Sequence, residues 1–154
     1  MPTIGEVAVE IALEEEKRGV FETNNDNRGP RIDEYSIFAN GTLGQAWCAK
    51  FAYWCFAQAA LRLRAQNPFP KIFLASALAH WATFNNKTVD SPLLGDVFVR
   101  KAQHVGIAKG PPNPNGTFPS VEGNTYNTAY DVRREGVYSL NKELVASCVF
   151  IRLA

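Results

Sequence analysis

The element that organises this chain begins in the stretch GQAWCAKFAYW at residues 44–54. A glycine-containing loop turns there into a helix predicted over residues 47–64, and because most of its sides are apolar we expect it to be the buried central helix. Cys48 stands where that helix begins. The first backbone N–H groups of a helix lack intrahelical partners and carry the positive end of its dipole, so they stabilise a thiolate. Cys48 is therefore a candidate nucleophile, although a lone cysteine more often packs as a small hydrophobe.

Helices precede strands along the rest of the chain. Apolar residues recur at helical spacing from Ile4 and predict a first helix that stops near Gly19; further helices are predicted over residues 32–39 and 76–84. After Pro92 the pattern changes to about five strands, the last of them within residues 144–153. This order predicts an α+β fold in which N-terminal helices pack on an antiparallel sheet, all within one domain covering residues 1–154.

Partners for a nucleophilic thiol lie in the strand region. Residues 104–108 read as a strand, the segment KGPPNPNG at 109–116 is dense in turn formers, and another strand follows. If a loop centred near Asn113 closes a hairpin, antiparallel pairing places His104 opposite or next to Glu122. Alternation then puts Glu122 and Asn124 on one face of their strand. A carboxylate and an amide beside an imidazole can hold it in one tautomer while it takes a proton from a cysteine.

Short motifs accompany these residues in a fixed order: NRGPRIDEY at 27–35, WCA at 47–49, GDV at 95–97, HVGI at 104–107, EGNT at 122–125 and GVY at 136–138. Together they resemble the CHAP domain, a branch of the NlpC/P60-type papain-like superfamily, and the resemblance extends from about residue 4 to about residue 153. It implies a papain-like fold and hydrolysis of amide bonds in bacterial peptidoglycan. The bond would be the one between muramic acid and L-alanine, cut by an amidase, or one in the peptide stem or cross-bridge, cut by an endopeptidase.

The resemblance also implies roles for individual residues. The nucleophile falls on Cys48, the general base on His104, and the groups that orient the base on Glu122 and Asn124. The backbone N–H of Cys48 would stabilise the oxyanion of a thioester mechanism. A second set comprises possible oxyanion or substrate contacts: Gln45, Trp47, Arg28 and Tyr35, with Arg31 beside them.

Each of these contacts has a structural alternative. Trp47 and Trp54 are seven residues apart on one helix, a packing repeat that favours the core. The arginines could instead tie down a loop through local salt bridges. His80 is the fallback base. Two other functions also stay open: a cysteine hydrolase or protease acting on a non-wall amide, and an inactive module that binds cell wall or a protein.

The remaining cysteines and acidic residues give no sign of a disulfide framework or a metal site. Cys55 and Cys148 read as core residues. Cys48 and Cys55 are seven residues apart on one helix and therefore about 10 Å apart along it, too far to form a disulfide. The acidic residues near Asp26 and Asp33 do not alternate as in a calcium loop. We therefore expect no metal and no cofactor.

Composition restricts the partners. The 154 residues are 46% hydrophobic, enough for one substantial core, and 16 basic against 15 acidic residues give a net charge of +1. Nothing in that balance indicates binding to nucleic acid or to a membrane surface. We expect a monomer whose partners are peptidoglycan and a delivery or immunity protein.

The N-terminal residues lack the basic start and uninterrupted apolar core of a signal peptide, and no run approaches the roughly 18 apolar residues of a membrane span. We expect synthesis in the cytoplasm and action on the wall after phage-type release, delivery by a secretion system, or fusion to a carrier. The sequence does not choose among them.

Overall fold

The computed structural model describes residues 1–127 and 134–153. In this part of the chain four helices are followed by six strands. The helices are α1 (Ile4–Arg18), α2 (Pro30–Ala39), α3 (Cys48–Leu63) and α4 (Ala75–Phe84). The strands are β1 (Thr88–Val89), β2 (Val97–Arg100), β3 (His104–Ala108), β4 (Thr117–Thr125), β5 (Gly136–Glu143) and β6 (Cys148–Ile151).

The predicted α+β class and its antiparallel sheet are confirmed, with one strand more than the five expected. All six strands form one sheet in the order β1-β6-β2-β3-β4-β5, and every pairing is antiparallel. The additional strand is β1, which has two residues, lies before Pro92 and pairs with β6. Two residues are too few to show an alternating pattern, so the sequence gives no signal for this strand.

Capping interactions between neighbouring residues define both ends of α1. Thr3 and Glu6 form a capping box, in which the Thr3 hydroxyl accepts from the Glu6 N–H and the Glu6 carboxylate accepts from the Thr3 N–H. At the other end Gly19 adopts φ 78°, a left-handed conformation that glycine adopts without strain. These interactions join residues close in sequence, and the helix accordingly ends near the predicted Gly19.

Helix α3 is the buried centre of the fold, as its apolar sides predict. It packs against the helices α1 and α2 and against the strands β3 and β4. Phe51 and Phe56 are among its fully buried side chains. A Cβ atom on Gly123 of β4 would lie 2.7 Å from the Trp47 ring and 2.9 Å from Phe51, so only glycine lets the sheet approach the start of the helix this closely.

The opposite face of the sheet carries a smaller cluster formed by Phe98, Phe118, Phe150 and Ala108. Gly106 of β3 points toward this face, since a Cβ atom there would lie 2.4 Å from the Phe98 ring and 2.7 Å from the Glu122 side chain. Glu122 therefore lies on the face away from α3. Because Gly106 has no side chain, the Glu122 side chain has room on this face.

Candidate active site

Cys48 is the first residue of α3 and is almost completely buried. Burial raises the pKa of its thiol, but the hydrogen bond to His104, the charge of that imidazole, and the backbone N–H groups of Val105 and Ala49 outweigh it, so the net pKa is lowered. These contacts stabilise the thiolate of Cys48 relative to that of an ordinary cysteine. This is the environment that the sequence predicts for a nucleophile at a helix N-terminus.

The imidazole of His104 lies between the thiol and a carboxylate. Its Nε2 atom is 2.7 Å from Oε1 of Glu122, which leaves Nδ1 to interact with the thiol. Burial lowers the pKa of His104, whereas the hydrogen bonds to Cys48 and Glu122 raise it more strongly, to about 9. Since the thiol pKa is lowered and the imidazole pKa is raised, the two groups favour a thiolate–imidazolium pair.

The predicted hairpin brings His104 and Glu122 together as expected. Strands β3 and β4 pair in antiparallel register, with Ile107 opposite Val121. His104 is the first residue of β3 and follows a tight turn in which Lys101 and Ala102 have φ values of 53° and 51°. The turn reverses the chain from β2 directly into the histidine, so the position of the imidazole depends on a strained backbone segment.

Glu122 is a fully buried carboxylate with three polar partners. Besides His104, Ser120 donates its hydroxyl to Oε2 at 2.5 Å, and Lys142 Nζ lies 3.3 Å from Oε1. Burial raises the pKa of Glu122, but His104, Lys142 and Ser120 lower it by more, so the carboxylate is ionised beside the imidazole. Alternation along β4 could have indicated Ser120. Lys142 comes from β5, and only the pairing of the strands brings it near.

Asn124 does not orient His104, contrary to the sequence prediction. The register shifts between Glu122 and Thr125, and Asn124 has φ 59°, so the regular alternation ends here. Its Oδ1 atom accepts from the backbone N–H of Trp47 at 2.8 Å. Among the described residues its other hydrogen bonds go to Glu22 and Asn27, each at 3.4 Å, and none to His104.

Two of the predicted substrate contacts are core residues. Trp47 is completely buried, and its indole Nε1 donates to Oε2 of Glu22 at 2.9 Å. Tyr35 is also completely buried, and its hydroxyl donates to Oε1 of Glu15 at 2.6 Å. Neither side chain is available to a substrate in this conformation. The structural alternative weighed for Trp47 is the one observed.

The two arginines considered as substrate contacts form ion pairs with carboxylates of the chain itself. Arg28 is exposed and forms a bidentate ion pair with Asp33, at 2.9 and 3.0 Å. Arg31 bonds Glu15 and Glu34, and its guanidinium lies 5.0 Å from the centre of the Trp54 ring.

Gln45 is exposed on the loop before α3, and its Oε1 atom accepts from Lys50 Nζ at 3.3 Å. The described contacts leave its amide NH₂ as a possible donor. Its role in stabilising an oxyanion stays a prediction.

Sequence reasoning missed Glu22, a fully buried carboxylate beneath the start of α3. It accepts hydrogen bonds from the Trp47 indole at 2.9 Å, the Asn27 backbone N–H at 2.8 Å and the Asn124 amide at 3.4 Å. Burial, followed by a hydrogen bond to Glu22, raises the pKa of the neighbouring Glu135 to about 7. No periodic pattern surrounds Glu22, and apart from Asn27 its hydrogen-bonding partners Trp47 and Asn124 are distant in sequence.

Among the described residues, the other thiols and the other histidine have no such arrangement of partners. Burial and the nearby Glu15 raise the pKa of Cys55 well above its ordinary value. Burial likewise raises the pKa of Cys148 to about 11. His80 is exposed on α4. All three cysteines are free thiols, and of the three only Cys48 has its pKa lowered by an imidazole, that of His104.

In residues 1–127 and 134–153, no group of three or more His, Cys, Asp or Glu side chains is placed to hold a metal ion. No helix in the same ranges is long and apolar enough to cross a membrane. Compared with known proteins, the chain matches no family model, no curated protein and no solved structure.

Proposed function

We propose that this chain is a cysteine-dependent hydrolase that cleaves amide bonds of bacterial peptidoglycan, as an N-acetylmuramoyl-L-alanine amidase or as an endopeptidase of the stem or cross-bridge. The observation that carries the proposal is the placement of Cys48 at the N-terminus of a buried helix, where the imidazole of His104 lowers the pKa of the thiol and has its Nε2 atom 2.7 Å from Oε1 of Glu122. This arrangement supplies an activated nucleophile, a base and an orienting carboxylate. The wall substrate rests on the resemblance of the motifs to the CHAP domain.

The reaction would proceed through a thioester. The Cys48 thiolate attacks the amide carbonyl carbon, and the backbone N–H of Cys48 at the helix N-terminus stabilises the resulting oxyanion. His104 gives its proton to the amide nitrogen as the carbon–nitrogen bond breaks and the amine leaves. It then takes one proton from water, whose oxygen attacks the thioester carbon; the carbon–sulfur bond breaks, the Cys48 thiolate is restored, and the carboxylic acid product loses its proton to solvent. Glu122 stabilises the imidazolium that is present before the amine leaves and that forms again when His104 takes a proton from water.

Access to the wall is part of the same proposal. The chain would be made in the cytoplasm and reach peptidoglycan by phage-type release or through a secretion system, with a delivery or immunity protein as a partner. Directing the chain to the periplasm should then lyse or round the cells, whereas the Cys48→Ala variant should leave them intact. Periplasmic wild-type protein that is folded and harmless would count against a wall substrate.

The decisive experiment is mass spectrometry of purified peptidoglycan after incubation with wild type, with Cys48→Ala, and with Cys148→Ala as a control lacking a different thiol. Wild type and the Cys148 variant should release amino groups without new reducing sugar ends, because a thioester mechanism cuts amides and leaves glycosidic bonds intact. A free L-alanine terminus on a complete stem identifies an amidase; a shortened stem or opened bridge identifies an endopeptidase. Folded protein that cleaves no wall type favours a non-wall amide or a binding module.

A further inference from the structure

Glu22 lies next to the start of α3 and forms hydrogen bonds with three different parts of the fold. Its carboxylate is fully buried and accepts from the Trp47 indole, from the Asn27 backbone and from the Asn124 amide. None of the ion pairs among the described residues includes Glu22. Besides these neutral donors, Glu22 faces a second carboxyl group, Glu135, whose pKa burial and the hydrogen bond to Glu22 raise to about 7. A buried carboxylate with no cationic partner is costly, and an apolar side chain of similar volume would often stabilise a fold at least as well. The donors that it joins indicate a more specific role.

The connection from Glu22 to the nucleophile passes through Trp47, the residue immediately before Cys48. Asn124 Oδ1 accepts from the Trp47 backbone N–H at 2.8 Å, and Glu22 Oε2 accepts from its indole N–H at 2.9 Å. The Asn124 amide in turn donates to Glu22. One carboxylate and one amide therefore hold Trp47 by both its backbone and its side chain.

The carboxylate is itself anchored to the sheet. The Glu22 N–H donates to the Glu135 carbonyl at 2.9 Å, and Phe21 forms a β-bridge with Gly136. A Cβ atom on Gly136 would lie 2.4 Å from the Val20 carbonyl oxygen, so the two backbones are in close contact. Glu22 therefore belongs to a segment fixed along the β5 edge and not to a free loop.

We propose that Glu22 is a positioning residue that acts through Trp47 and Asn124 to hold the start of α3, so that the Cys48 sulfur meets the His104 imidazole. The inference rests on the proposed function, since it assigns one more residue to the same site. It also gives Asn124 a different task from the one predicted, because Asn124 acts on the side of the nucleophile and not on the imidazole. A misplacement of about 1 Å between reacting groups can cost a hundredfold in rate.

The test measures alkylation of Cys48 by iodoacetamide as a function of pH, which needs no wall substrate and therefore fails or succeeds independently of the proposed function. Both oxygens of the Glu22 carboxylate accept hydrogen bonds. In Glu22→Gln an NH₂ group replaces one oxygen and cannot accept, so at least one of these hydrogen bonds is lost. The alkylation rate near pH 7 should fall about tenfold or more, as when a supporting partner of a reactive group is lost, and its pH midpoint should rise. Glu15→Gln is the matched control: Glu15 is equally buried, but its own hydrogen bonds go to residues other than Trp47 and Cys48.

A double-mutant cycle decides whether the effect passes through the indole. Trp47→Phe removes the indole donor and keeps an aromatic ring, so alone it should slow alkylation in the same direction, and combining it with Glu22→Gln should add little. Near-ultraviolet circular dichroism establishes that each variant is folded. Unchanged alkylation in folded Glu22→Gln would overturn the proposal, as would fully additive effects of the two changes or an equal loss in Glu15→Gln.

Discussion

Replacing Glu122 by glutamine should weaken the imidazolium of His104 while keeping the size of the buried side chain. The carboxylate is fully buried, 2.7 Å from Nε2 of His104. Hydrogen bonds to charged groups contribute about 1.5–3 kcal/mol and those between neutral groups about 0.5–1.5 kcal/mol. The change should therefore cost the imidazolium about 1–1.5 kcal/mol, which lowers the pKa of His104 by about one pH unit. Turnover should fall about tenfold or more.

The effect on stability has a defined pH range. His104 has its pKa raised to about 9, so its contribution is fully present below its ordinary 6.5 and is lost as the pH rises through about 9. Glu122 has a lowered pKa, so its contribution is present above its ordinary 4.5 and is lost as the pH falls below that value. The Glu122→Gln variant should therefore be least stable relative to wild type between these limits, and the difference should shrink above pH 9.

The assay is an NMR titration of the imidazole ring protons, joined to denaturant unfolding and wall hydrolysis. The chain has two histidines, so His80→Gln assigns the His104 signal. Glu143→Gln, which removes an exposed carboxylate from β5, is the matched control and should leave the titration unchanged. An unchanged titration of His104 in Glu122→Gln would refute the electrostatic reasoning. A loss of turnover equal to the unfolded fraction would instead make Glu122 a purely structural residue.

Three further outcomes are expected. Iodoacetamide near neutral pH should modify Cys48 ahead of Cys55 and Cys148 in native protein, since only its pKa is lowered, and mapping of the adducts by mass spectrometry checks this. Ala102→Gly should raise the free energy of unfolding by about 0.5–1 kcal/mol because φ is 51° there, and a lower urea midpoint would contradict the turn geometry. Gly106→Ala should destabilise the fold by about 1–3 kcal/mol and slow alkylation, because the new Cβ would meet the Phe98 ring and the Glu122 side chain; wild-type stability would contradict that packing.

Local patterns predicted much of the fold. The positions of α1 and α3 follow from apolar spacing, a capping box and a glycine at the helix end, all of which act between residues a few positions apart. The hairpin that joins β3 to β4 follows from turn residues between two alternating runs, and it brings Glu122 within 2.7 Å of His104 as expected. The two-residue β1 escaped prediction because its pairing with β6, and not its own sequence, defines it.

Asn124 shows where pattern reasoning fails. Strict alternation places it on the same face as Glu122, but the irregularity in β4 turns it toward the start of α3. A backbone with φ 59° at a non-glycine residue is held by surrounding contacts, and those contacts are not written into the spacing of neighbouring residues. The seven-residue spacing of Trp47 and Trp54 favoured a core position for Trp47, whereas the sequence did not distinguish a buried Tyr35 from a surface contact.

The sequence by itself determined the α+β order of elements, the cysteine at the beginning of a buried helix and the pairing of a histidine with a carboxylate across one hairpin. These features depend on local propensity and on short loops. Only the tertiary structure decided which groups meet the catalytic candidates across the fold. Trp47 bonds a carboxylate 25 residues before it and an amide 77 residues after it, and Glu122 meets Lys142 through the pairing of β4 with β5. Such contacts depend on packing and register, which distant parts of the chain establish together when they fold.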